Sequence, residues 1–141
     1  LIQALAGPAA KVAGFAARRF IDGDVEDTCS VIIEYRSGVQ ATFSSLWWVR
    51  PGRSDYEVSG TEGRIYVPDV SGNVLTLERD GISSEIRAEP DELHDLPLIE
   101  RFVDAVEGGD DLELSGDAGL EVQRITDAVY ESASAGTIVA I

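Results

Sequence analysis

Methionine is missing from the 141 residues, and lysine, histidine and cysteine occur once each, as Lys11, His94 and Cys29. Each shortage excludes something. One cysteine cannot form an internal disulfide, and a lone histidine without a second histidine or nearby cysteine does not make a zinc-ligand set. A chain without methionine cannot begin at its own initiator, so either the initiator was removed or the sequence is a piece of something longer. No apolar run approaches the roughly 20 residues of a membrane-spanning helix, and the start carries no signal-peptide pattern. The expectation is a soluble, cytoplasmic chain with no membrane partner. Positive charge is scarce as well. Eleven basic residues face 26 acidic ones for a net charge of −15, which repels a phosphate backbone and argues against nucleic acid.

Hydrophobic residues make up 44% of the chain, enough for a folded core, and the length fits one domain over residues 1–141. The acids are spread along the sequence and the bases are nearly all arginine, a pattern that fits either salt adaptation or a GC-rich source.

The chain is organised around residues 26–63. Cys29, Val31, Ile33 and Tyr35 alternate with Thr28, Ser30, Ile32 and Glu34, the period of a strand with an apolar and a mostly polar face. Val39, Ala41, Phe43, Ser45 and Trp47 alternate in the same way with Gln40, Thr42, Ser44, Leu46 and Trp48. A hairpin loop of Arg36, Ser37 and Gly38 pairs Tyr35 with Val39, Ile33 with Ala41 and Val31 with Phe43; a loop of two would set apolar against polar residues. One face is then a floor for helices. The other, from Thr28 to Trp48, is mixed in character and is the expected contact surface for a partner or substrate.

The remaining elements follow from local signals. Residues 1–6 read as the end of a helix stopped by Gly7 and Pro8, and Lys11 to Phe20 as a first strand. Val58 pairs with Ile65 and Tyr56 with Val67 across a four-residue loop, Gly60 to Gly63. Short strands at 74–78 and 83–87 flank Asp80-Gly81. Ile99, Phe102, Val103 and Val106 share a helical face ended by Gly108-Gly109, and Ser115 caps a longer helix that Gly136 ends. Residues 137–141 close as a strand. Strands first and helices late give an α+β class: a mostly antiparallel, open-faced sheet with helices on one face.

Few residues suggest chemistry. His94 lies in an acidic stretch, Asp91 to Asp95, which reads as a loop leading into a helix, and Glu107, Asp110, Asp111 and Glu113 read as another solvated loop. Ser115 is a helix cap, since nothing supplies a triad. Arg50, Arg53, Asp55 and Tyr56 follow Trp48 at the edge of the open face, where arginine can clamp an anion and the rings can flank a sugar or polyol.

The run DVEDTCSVIIEYRSGVQATFSSLWW, then YEVSGTEGRIYV, LPLIERFVDAV and SGDAGLEVQRITDAVYESASAGTIVAI, resembles the C-terminal domain of the Gfo/Idh/MocA oxidoreductase family, in order over nearly the whole chain. The resemblance implies a domain that supplies part of a substrate pocket and a homo-oligomer interface through the open sheet face. It implies that NAD or NADP is bound by a separate Rossmann domain, and that a Glu-Lys-Pro lysine and an Asp/His proton-transfer motif lie upstream of Leu1. Lys11 has no such context, and no G-x-G-x-x-G follows a strand. The loop ahead of the G-x-x-G hairpin contacts substrate in inositol dehydrogenase-like members, which makes Trp48, Arg50, Arg53 and Tyr56 the expected substrate-binding residues, with no catalytic, cofactor or metal ligand in this chain. The alternative is a stand-alone, non-catalytic dimerisation or ligand-binding module using the same face.

Overall fold

The structure is a computed structural model that describes residues 2–89, 96–108 and 115–141. In chain order the elements are α1 (Ile2–Ala6), β1 (Ala9–Ala17), β2 (Thr28–Tyr35), β3 (Gln40–Leu46), β4 (Tyr56–Gly60), β5 (Gly63–Val67), β6 (Val74–Arg79), β7 (Ile82–Arg87), α2 (Leu96–Val106), α3 (Gly116–Ala135) and β8 (Val139–Ala140). The strands form two antiparallel sheets of four, ordered β3-β2-β1-β8 and β4-β5-β6-β7. The α+β class therefore stands, with its strands in two sheets. Two compact units hold them: residues 1–50 with 108–141, and residues 51–107.

In the first unit the central hairpin has the expected register. Val31 faces Phe43, Ile33 faces Ala41, the Tyr35 N–H donates to the Val39 carbonyl at 2.9 Å, and Gly38 takes a φ of 86°. That positive φ is why a three-residue loop closes here. Tyr35, Ile33, Val31, Val12 and Ala9 are buried together beneath Ala128 of α3, with Cys29 half-buried beside them. α3 has both expected ends: the Ser115 hydroxyl accepts from the Ala118 N–H at 3.2 Å, and Gly136 at φ 67° closes it with an N–H to the Ser132 carbonyl.

α3 approaches β1 closely because Gly14 has no side chain; a Cβ there would lie 3.1 Å from Val129 Cγ1. Strand β8 is only two residues long, pairing at Lys11 with Ala140 and Val12 with Val139, so it leaves the Gly14 N–H without a strand partner. Ser132 fills the place. Its hydroxyl accepts from Gly14 at 3.0 Å and donates to the Thr137 carbonyl at 2.6 Å.

The first strand differs from expectation. It runs from Ala9 to Ala17 and not from Lys11 to Phe20, because the N–H groups of Arg19, Phe20 and Ile21 turn toward the Asp27 carboxylate. The terminal strand is likewise shorter, since the Thr137 carbonyl is used by Ser132.

In the second unit, Tyr56 pairs with Val67 and Val58 with Ile65 as expected, but Gly60 also pairs with Gly63, so the loop is a two-residue turn at Thr61 and Glu62. A Cβ on Gly63 would sit 2.1 Å from the Glu78 carbonyl oxygen, so only glycine lets β5 meet β6 there. Asp80 and Gly81, at φ 53° and 75°, form the turn between β6 and β7. One face of this sheet carries Tyr56, Val58, Ile65, Leu75, Leu77 and Ile86. On the other, Arg64 bridges Glu57 and Glu78 at 3.3 and 2.6 Å. α2 presents Ile99, Phe102, Val103 and Val106 as exposed side chains.

Candidate functional site

The open face of the first sheet is as the alternation demands. Ser30, Ile32, Gln40, Thr42, Ser44, Leu46 and Trp48 are exposed, and β1 adds Phe15, 78% exposed. β1 leaves the sheet, β2 enters it and β3 leaves it at one end, and that end is organised by a single carboxylate. Asp27, 3% exposed, accepts from the backbone N–H groups of Phe20 at 2.7 Å, Ile21 at 2.8 Å and Arg19 at 3.1 Å, and from the Thr28 hydroxyl at 3.0 Å. Burial alone would raise its pKa; these donors outweigh burial and hold it at about 2. Its own backbone joins β1 and β3, since the Asp27 N–H donates to the Ala17 carbonyl at 3.1 Å and its carbonyl accepts from Trp47 at 3.0 Å.

This clasp sets the position of Trp48. The indole Nε1 donates to the Thr28 hydroxyl at 3.1 Å, and the ring lies 4.2 Å from the Phe20 ring, tilted by 44°. The result is an exposed aromatic platform held from both sides. Arg50 is exposed and has no ion pair with a described residue.

The four expected substrate-binding residues divide between the units. Trp48 and Arg50 belong to the first, Arg53 and Tyr56 to the second. The Arg53 guanidinium is engaged by its neighbour, Nε to Asp55 Oδ1 at 3.2 Å and Nη2 to Oδ2 at 2.6 Å. The Tyr66 hydroxyl reaches the same carboxylate at 3.4 Å. The hydrogen bond from Arg53 lowers the Asp55 pKa, and the return effect raises that of Arg53. Tyr56 is half-buried opposite Val67.

Three residues escaped sequence reasoning. Asp27 read as one acid among several in the run DVED, and Phe20 as the end of a strand. Tyr130 read only as part of the last helix, yet its hydroxyl donates to Glu26 Oε1 across 104 residues of sequence. That bond lowers the Glu26 pKa and raises that of Tyr130, so neither group is tuned for proton transfer near neutrality. Cys29 is half-buried, and burial followed by the Glu26 charge raises its thiol pKa, which fits an unreactive side chain.

No cluster of three metal-ligating side chains occurs among the described residues. His94, Asp110, Asp111 and Glu113 lie outside the described residues, and Glu107 is exposed. The residues present also do not fit a dinucleotide. All strand pairs among the described residues are antiparallel, whereas pyrophosphate sites form at the strand-to-helix turn of a parallel βαβ unit. The first turn of α3 carries Asp117, which repels phosphate. No helix of the described residues is long and apolar enough to cross a membrane.

The described residues thus form an open-faced α+β fold that carries an exposed pair of aromatic rings, Phe20 and Trp48, at one end of the first sheet. Solved oxidoreductases have this fold. An aldose-aldose oxidoreductase from Caulobacter crescentus, complexed with glycerol, superposes with a TM-score of 0.88 at 21% identity over 99% of this chain and 44% of its own. An NAD binding oxidoreductase from Klebsiella pneumoniae does so with a TM-score of 0.86 at 21% identity, over 99% and 47%. In sequence, residues 1–66 match the model of the GFO/IDH/MocA C-terminal domain. D-xylose 1-dehydrogenase (NADP(+)) 2 of Haloferax volcanii is 30% identical over 124 residues, 84% of this chain. The chain is a C-terminal domain of the Gfo/Idh/MocA oxidoreductase family. It spans 38% of the length of that curated relative.

Proposed function

We propose that this chain is the substrate-binding and oligomerisation domain of an NAD(P)-dependent sugar or polyol oxidoreductase, inactive by itself. The observation that carries the reading is the 30% identity to a D-xylose dehydrogenase, which extends over 84% of the chain. The platform of Phe20 and Trp48 adds a physical reason, because aromatic faces suit the C–H face of a sugar ring. Arg50 supplies a charged donor for hydroxyl or carboxylate oxygens. The open face of the first sheet, where Phe15, Ile32 and Leu46 stand exposed beside polar side chains, is the surface on which two copies associate. NAD or NADP is held by a domain outside this chain, and hydride passes there between the nicotinamide and a sugar carbon. The role of the present residues is to bind and orient that carbon.

The test is steady-state kinetics of the full-length gene product with D-xylose and related sugars and polyols, with NAD and with NADP. Trp48→Ala and Arg50→Ala are expected to raise KM about tenfold or more while kcat changes less, the signature of uniform binding. Unchanged kinetics in both would remove the platform and Arg50 from the pocket, and absence of turnover with every sugar and both nucleotides would refute the enzyme reading.

A further inference from the structure

A tryptophan offers a ligand two things, an apolar ring face and one N–H donor. In Trp48 the donor is spent. The indole Nε1 donates to the Thr28 hydroxyl at 3.1 Å, and the single proton of that hydroxyl goes to Asp27 Oδ1 at 3.0 Å. The direction of this chain of bonds is fixed by its ends, because an indole N–H can only donate and an ionised carboxylate can only accept. Asp27 is ionised at neutral pH, its pKa being held at about 2. The other oxygen of the same carboxylate takes the Phe20 N–H at 2.7 Å, so one side chain holds the residues of both rings. Phe20 and Trp48 are 64% and 41% exposed, yet neither ring brings a free donor.

We propose that Thr28 is a specificity-determining positioning residue: by consuming the Trp48 donor and fixing its ring, it makes the platform select sugars that present an unbroken C–H face. The inference rests on the reading of the platform as part of the substrate pocket. A hydroxyl turned onto a ring face loses water and finds no hydrogen-bond partner there, whereas C–H groups lose nothing and gain dispersion contact. A pyranose whose hydroxyls are all equatorial carries only axial hydrogens on both faces. D-Xylose in its β-pyranose chair is such a ring. Inverting one carbon sets a hydroxyl axial, on a side that alternates around the ring. The C2 epimer D-lyxose and the C4 epimer L-arabinose carry theirs on one face, and the C3 epimer D-ribose on the other. A single donor-free platform therefore rejects the first two together or the third alone.

The test uses the full-length gene product carrying isotope-labelled tryptophan. Its kcat/KM for D-xylose is expected to exceed that for one face's epimers by about tenfold or more, while the other face's stay within about threefold. Thr28→Val keeps the shape of the side chain and removes the hydroxyl. It is expected to cut the larger ratio below about threefold and to speed solvent exchange of the Trp48 indole N–H about tenfold or more. Thr28→Ser restores both. The N–H is assigned in NMR by the signal lost in Trp48→Phe. A merely structural role would lower kcat/KM for all the sugars alike and leave their ratios standing. Unaltered exchange or an unaltered ratio in Thr28→Val, or a wild type without the face-dependent pattern, each overturn the inference. The pattern is read in the wild type, so a Thr28→Val chain that fails to fold leaves the test intact. Turnover of every epimer at similar kcat/KM refutes this inference alone. Absence of turnover, with the Trp48 N–H signal still shifted by D-xylose and not by one face's epimers, refutes the enzyme reading alone; neither turnover nor shift refutes both.

Discussion

Replacing Ser132 by alanine removes one oxygen and almost no volume, so its cost isolates hydrogen bonding from packing. Ser132 is 2% exposed, and its hydroxyl bonds both to the Gly14 N–H and to the Thr137 carbonyl. The substitution leaves a buried backbone donor on β1 unpaired, which costs about 1–3 kcal/mol, and withdraws a donor from Thr137, which is exposed and can turn to water for about 0.5–1 kcal/mol. The expected loss is therefore about 1.5–4 kcal/mol, a large share of the roughly 5–15 kcal/mol that holds a domain together. At this chain length it corresponds to a fall in Tm of about 5–20 °C. Urea unfolding gives the free energy, and amide exchange locates it: the Gly14 N–H should lose protection more than the amides of Val12 or Val31. A loss below about 0.5 kcal/mol with Gly14 still protected would show that another acceptor reaches the strand, and the role assigned to Ser132 would fall.

Gly63→Ala is expected to destabilise the second unit by about 2–4 kcal/mol, because its Cβ would overlap the Glu78 carbonyl 2.1 Å away and backbone cannot step aside as a side chain can; amide exchange in β5 and β6 that matches wild type would contradict this. Asp27 has a folded pKa of about 2, below the ordinary 3.8, so it contributes stability that is complete above about pH 4 and is lost as pH falls through about 2. Asp27→Asn should flatten the acid limb of the stability curve between those limits and loosen Phe20 from Trp48, read in near-ultraviolet circular dichroism; an unaltered acid limb would show that the carboxylate is not the titrating group. The net charge of −15 on a small chain predicts that unfolding shifts to higher temperature as KCl rises toward about 1 M, where the screening length falls to about 3 Å. A Tm independent of KCl would mean that like charges on this surface already lie too far apart to repel.

Those parts of the fold that depend on period and turn chemistry were legible in the sequence. Alternation over 28–35 and 39–47 demanded one register, and Gly38 could satisfy the loop that this register needed. The Ser115 and Gly136 signals bounded α3 because capping is a local event, settled within four residues of the cap. Strand β1 was misplaced because its end is decided by a competition that is not local. Three consecutive N–H groups prefer a carboxylate six to eight positions away to a strand partner, and no periodicity records such a choice. Trp48 could be singled out as a ring near a sheet edge, but the platform it belongs to needed Phe20 and Asp27, which become neighbours only once β1 and β2 pair.

Periodicity states that a face must be buried and is silent on what buries it. The alternating floor of β2 and β3 reads as one uniform surface, yet in the folded unit Val31 and Ile33 are covered while Phe43 and Trp47 are left in water. Leaving two large aromatic side chains half in water forgoes about 25 cal/mol for every Å² that could be covered. Phe43 on β3 and Trp47 just past its end therefore leave apolar surface that serine or threonine would not leave on a solvated face. The same argument applies to Ile99, Phe102, Val103 and Val106 of α2, which share a helical face and stand exposed. The apolar pattern of this chain is thus larger than the core that its described residues build.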